Sequence, residues 1–162
     1  MPKSPCPLTT IAVGYVLNIG ETTPPAGLAA GLAKSNKAQD AMINNLKPGR
    51  TGNEVLAAVV SELEAEGIDS LVYSHPIGDH MHGAGATVGL SDNNNGAVPI
   101  KGDIKVRADT WYSIELGISH SVPEWDNQVV QFEQEEDAGI SSAGIASWIL
   151  KRQSAFHIID PK

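Results

Sequence analysis

Two stretches late in the chain alternate in a way that only extended backbone can use. From Trp111 to Ser119, Tyr112, Ile114, Leu116 and Ile118 fall on one face, and Ser113, Glu115 and Gly117 on the other. Successive side chains of a strand point to opposite sides, so this is one apolar and one polar face. From Val129 to Glu135 the pattern returns: Val130 and Phe132 share one face, and Gln131, Glu133 and Glu135 share the opposite one. Glu115 and Glu135 therefore both lie on the polar side of strands whose other side belongs to a core.

The first half of the chain reads as helices. Residues 11–18 form a strand ended by Gly20, and Pro24 and Pro25 suit the first turn of a helix running to about Asn45. Leu28, Leu32, Met42 and Leu46 are its apolar stripe, and Lys47-Pro48-Gly49 stops it. Thr51 with Glu54 makes a capping box for a second helix, which buries Val55, Leu56, Val59, Val60 and Leu63 and closes at Gly67. Leu71 to His75 is a strand, Ser91 to Gly96 a turn, and short strands around Ser147–Leu150 and Ala155–Ile159 finish the chain. No repeat, low-complexity tract or linker interrupts the 162 residues. The expectation is a single domain, 1–162, of α+β class, with two helices packed on a mainly antiparallel sheet.

Charge narrows the partners. Eleven Lys and Arg stand against nineteen Asp and Glu, a net charge of −8, and the basic residues are scattered. Phosphate contacts need clustered Lys and Arg, so no nucleic acid is expected, and no run of them suggests a membrane surface. No stretch approaches the roughly 20 apolar residues of a membrane span, and the start lacks a signal-peptide run. A cytoplasmic location is expected. Cys6 is the sole cysteine, which excludes an intrachain disulfide and a cysteine-built zinc site.

The chemistry-bearing residues are His75, Glu115 and Glu135, with His80 and His82 close to the first. An imidazole at a strand end and two carboxylates on neighbouring strands suit a divalent-metal site, which needs anionic or lone-pair donors fixed on rigid elements. Taken singly each signal is weak, since a lone His is more often a satisfied polar residue and an acidic strand residue usually faces solvent. Strand parity favours Glu133 or Glu135 over Glu136 as the second carboxylate. Other chemistries fare worse. Gly83-Ala-Gly85-Ala-Thr-Val-Gly89 has the wrong spacing for a dinucleotide loop, and no Gly-x-Ser-x-Gly elbow exists. Cys6 sits in a proline-flanked terminus, and His120 and His157 have no partner pattern.

The flanks of these residues carry a family resemblance. His75-Pro-Ile-Gly78 with His82, then Tyr112-Ser113-Ile114-Glu115-Leu116-Gly117, then Gln134-Glu135-Glu136-Asp137-Ala138-Gly139-Ile140-Ser141 resemble three motifs of the pita-bread metallopeptidases. These are aminopeptidase P, prolidase, methionine aminopeptidase and the creatinases. Leu116 departs from that pattern, where a proline is usual. The two-helix stretch with Lys47-Pro48-Gly49 between its helices is similar to that of the fold, and Val122-Pro-Glu-Trp125 with Arg152-Gln153 looks like an Xaa-Pro peptidase branch. The resemblance covers about residues 14–160. It implies a partial pita-bread fold, a curved mainly antiparallel sheet with two helices, and metal-assisted hydrolysis of a peptide bond near an N-terminus. By carry-over His75, Glu115 and Glu135 would be metal ligands, for Mn, Co or Zn. His82 would steady the scissile carbonyl, and His80 would line the substrate cleft.

The resemblance also implies two Asp ligands before the first helix. Residues 1–20 contain no Asp or Glu, and the second Asp position falls near Thr9 or Thr10. A threonine hydroxyl is a neutral donor that cannot bridge two cations. The expectation is therefore an incomplete site, in the C-terminal portion of a catalytic domain. Its rivals are a catalytically inactive relative that binds peptide or protein, and a site holding a single ion. Missing neighbouring strands would leave a sheet edge open, which implies a homodimer.

Overall fold

Helices α1 (Ala26–Asn45) and α2 (Gly52–Ala65) pack on the apolar face of a five-stranded sheet in a computed structural model that describes residues 11–160. The sheet strands are β2 (Asp69–Pro76), β3 (Val88–Gly89), β4 (Thr110–Val122), β5 (Gln128–Ile140) and β6 (Ala146–Trp148), in the order β3-β2-β4-β5-β6. Every neighbouring pair is antiparallel. The α+β expectation holds. Burial follows the parity read from sequence: Tyr112, Ile114, Leu116, Ile118 and Phe132 are all core residues, together with Leu28, Leu32, Met42 and Leu46 of the first helical segment.

The helix ends show where local rules suffice. Thr51 accepts from the Glu54 N–H at 3.1 Å and Glu54 returns the bond to the Thr51 N–H at 2.7 Å, the expected capping box. Gly67 has φ 66°, the left-handed conformation that closes α2. α1 begins later than expected, at Ala26, with Pro25 as its N-cap and not inside its first turn.

The chain ends depart further. The expected strand over 11–18 is only β1 (Gly14–Val16), and β7 (His157–Ile159) joins β1 in a separate parallel pair and not the main sheet. The reason lies in Gln153, whose side-chain amide accepts from the Val13 N–H at 2.8 Å and donates to the Val13 carbonyl at 2.6 Å. A side chain thus occupies the backbone groups that a longer strand would need. The strand expected around 147–150 falls at 146–148, and β3 and a 3-10 turn at Pro123–Trp125 were not expected. Before β1, Ile11 exchanges backbone bonds with Glu135, its N–H reaching the Glu135 carbonyl at 2.9 Å. Among the described residues no helix is long and apolar enough to cross a membrane.

Candidate functional site

Strand register assembles the site. Tyr73, Glu115 and Glu135 share one rung across β2, β4 and β5, and His75 and Ser113 share the next with Asp137. All lie on the polar face, opposite the helices. His75 Nε2 is 2.6 Å from a Glu115 carboxylate oxygen, and its Nδ1 is 2.9 Å from the Pro76 carbonyl. That fixes Nδ1 as a donor, since a carbonyl only accepts. The Ser113 hydroxyl donates to Glu135 at 2.7 Å. The ring of His82 stacks on that of His75 with centroids 4.1 Å apart and planes 13° from parallel.

The electrostatics follow from this crowding. Burial of His75, which is 5% exposed, pulls its pKa down. The hydrogen bonds to Glu115 and Pro76 and the charges of Glu115 and Glu135 outweigh burial, so His75 titrates above its ordinary value. For Glu135, 8% exposed, burial pushes the pKa up, the Ser113 hydroxyl works against it, and the charges of Glu115 and Asp137 add to the rise. Tyr73 is raised as well, by burial and then by Glu115 and Glu135.

Beside these residues a cavity of about 440 Å³ opens on the sheet face, bounded by Ile11, Tyr73, Glu115, Glu133 and Glu135 among others. Glu133 shares the Glu135 face but is exposed, whereas Glu136 turns away and accepts from the Gln153 N–H at 3.1 Å. Of the three glutamates, Glu135 alone stands on the Glu115 rung. His82 is brought to His75, whereas His80 is not; both are exposed on the turn, and neither bounds the cavity. Sequence reasoning gave no role to Tyr73 and Ser113. Parity could have found both, because Tyr73 is two residues before His75 and Ser113 two before Glu115.

An imidazole and two carboxylates are donors that Mn, Co and Zn accept. As placed they do not form a cage: among the described residues, no group of three or more His, Cys, Asp or Glu side chains is arranged to hold an ion. The His75 Nε2 lone-pair position is taken up by Glu115, and one Glu135 oxygen by Ser113. Thr9 and Thr10, the positions expected for the missing Asp, lie outside the described residues.

The fold is a two-helix, antiparallel-sheet domain with His75 and the Glu115–Glu135 pair on the polar face of its sheet. The family comparison sharpens this: the model of metallopeptidase family M24 matches residues 9–140, and the chain belongs to that family. No curated protein matches it. Among solved structures it is similar to the X-Pro aminopeptidase of Thermotoga maritima MSB8, at 14% identity and a TM-score of 0.61, covering 92% of this chain and 36% of that one. The N-terminal domain of the FACT complex subunit SPT16 from Cicer arietinum (chickpea) follows at 18% identity and 0.57, covering 78% and 29%. Dipeptidase PepE from Mycobacterium ulcerans gives 18% and 0.56, covering 91% and 34%. The chain thus spans about a third of the length of these structures, and at such identities the likeness is one of fold. The pita-bread expectation holds in that partial sense.

Proposed function

We propose that this chain is a peptide-handling domain of metallopeptidase type, of the Xaa-Pro aminopeptidase or prolidase kind, acting near the N-terminus of a peptide. His75, Glu115 and Glu135 are its share of a divalent-ion ligand set, and hydrolysis depends on ligands beyond these three. The observation that carries the reading is the His75–Glu115 contact of 2.6 Å on the rung next to the Glu115–Glu135 pair. It puts three donors of the right chemistry on one rigid sheet face, beside a cavity of about 440 Å³, within the range of ligand pockets. When bound, a divalent ion would polarise the scissile carbonyl and acidify a water. The chain's own groups do the rest: Glu115 orients the His75 ring, Ser113 orients Glu135, and His82 stands over His75 with a ring nitrogen available for a substrate oxygen.

Metal reconstitution tests this directly. Dialysis against Mn, Co or Zn followed by elemental analysis should leave at least one ion per chain, lost in His75→Ala and Glu115→Ala. Turnover of an Xaa-Pro peptide should follow the metal content. A protein that takes up no ion above background and turns over no peptide ends the enzymatic reading for this chain.

A second reading is an inactive relative that binds peptide or protein, without metal. It is favoured by the closed His75–Glu115 and Ser113–Glu135 contacts, which satisfy the donors among themselves. Its mark is peptide affinity indifferent to chelators. Strict chelator dependence argues against it.

A further inference from the structure

Among the described residues, the outer edge of β5 is open over half its length. Glu135 turns both its N–H and its carbonyl outward, to Ile11, and Asp137 turns its carbonyl outward, to the Ile149 N–H at 2.9 Å. Backbone groups of a strand alternate in direction, so Glu133, Gln131 and Val129 also turn theirs away from β4. Among the described residues none of these three has a backbone partner there. β6 pairs only with Ala138, Gly139 and Ile140, and the chain after Ile11 leaves β5 because Val13 is engaged by Gln153 and His157. All three edge residues are exposed.

We propose that this edge, Val129 to Glu133, binds an extended peptide by antiparallel strand addition, and that the peptide carries Lys or Arg at the position facing Glu133. The Ile11–Glu135 rung already displays the required backbone geometry one step further along the same edge. Charge selects the occupant. Asp69, Glu115, Glu133 and Glu135 all border the adjoining cavity, and among the described residues no Lys, Arg or His does. A residue paired with Glu133 on an added strand projects to the same face as Glu133, over that cavity. A cationic side chain is complementary there, whereas a second copy of this chain brings a net charge of −8 with it. Main-chain bonds supply affinity and the alternate side chain supplies selectivity, the usual division in strand addition. The proposal shares its peptide ligand with the reading above but needs neither the metal nor hydrolysis.

Fluorescence anisotropy tests it, with a chelator present throughout so that failure of the metallopeptidase reading cannot affect the result. The probes are short capped peptides alternating Thr and Lys, and the same peptides with Glu for Lys. The Lys peptide should bind, and the Glu peptide should bind about fivefold more weakly, as expected for one partly exposed ion pair. Methylating one peptide nitrogen that faces β5 should weaken binding about tenfold, the loss of a hydrogen bond. Gln131→Pro should abolish binding, because its N–H faces outward and proline is tolerated on such an edge. Glu133→Lys leaves the backbone intact and should reverse the preference between the two peptides. Equal binding of both peptides, indifference to N-methylation, or an unchanged preference in Glu133→Lys overturns the proposal. So does self-association of the free protein that Gln131→Pro abolishes, since the edge would then belong to a second copy.

Discussion

Glu115 and Glu135 stand directly opposite each other on β4 and β5, at a rung where neither backbone group of Glu135 points to β4. Such non-hydrogen-bonded rungs bring Cα atoms to about 4.5 Å, the closest approach an antiparallel pair offers. Two carboxylates held there repel, and the rise in the Glu135 pKa records it together with burial. In the metal-free protein, Glu135→Gln should therefore stabilise the fold by about 0.5 kcal/mol, the scale of a cross-strand like-charge pair. The Gln carbonyl still accepts from Ser113. Urea unfolding in chelator measures this, and a lower midpoint in the variant contradicts it. The same substitution should weaken divalent-ion uptake, a trade of stability against function.

Gly31 lies where α1 meets β5, and a Cβ built there would sit 2.3 Å from Phe132 Cζ and 2.4 Å from Cε2. Helix propensity alone favours Ala over Gly by about 1 kcal/mol. The contact should win: Gly31→Ala is expected to destabilise the domain by about 1–3 kcal/mol, as overpacked cores do. Adding Phe132→Leu should recover part of the loss, because the ring atoms that collide are gone. Thermal melts of both variants decide it, and a more stable Gly31→Ala would place the helix further from the sheet.

How much of this was legible in the sequence depended on the range of the interactions. The Thr51–Glu54 capping box lies within one helical turn, and strand parity placed Glu115 and Glu135 on one face, because both rules concern near neighbours along the chain. The rung that joins Glu115 to Glu135 and not to Glu133 needed the β4–β5 register, which the left-handed residues Asp126 and Asn127 at the hairpin turn help to fix. Gln153 reaching Val13 over 140 residues had no sequence signature, so the first and last strands were read within their ranges but not their parallel pairing. Tyr73 went unassigned for want of chemistry, not of pattern: its parity with His75 was plain, but its place beside Glu115 requires the fold.

The N-terminus of α1 is another long-range device, with a pH signature. Pro25 offers no side-chain cap, and Glu124, from the 3-10 turn, accepts from the Gly27 N–H at 3.0 and 3.2 Å. Its own N–H, then those of Gly27 and Ala26, hold the Glu124 carboxyl below its ordinary value. A carboxylate depressed in the folded state contributes stability above its unfolded pKa, and loses it as pH falls through the folded pKa. Glu124→Gln keeps an acceptor but removes the anion from the helix N-terminus. Its melting temperature should fall below that of the parent at neutral pH, and the gap should close on acidification. A gap that persists in acid would assign the effect to packing against Pro123.

His82 owes its place over His75 to a pinched loop. The Gly83 N–H reaches the Pro76 carbonyl at 2.6 Å and the Met81 N–H the Gly78 carbonyl at 2.9 Å. A Cβ on Gly78 would approach Gly83 Cα to 2.9 Å, and one on Gly83 would approach the Ile77 carbonyl carbon equally closely. Only glycine permits that approach of backbone to backbone. If His82 donates to charge developing on the substrate oxygen, His82→Ala in metal-reconstituted protein should lower turnover by about 100-fold, the effect of losing one oxyanion donor. Metal content and peptide affinity should be unchanged. Gly83→Ala should act in the same direction by displacing His82, with the loss of the ring stack visible as a shift of the His75 ring protons in NMR spectra. A His82→Ala protein that turns over peptide at the parent rate would leave His82 as packing for His75 and nothing more.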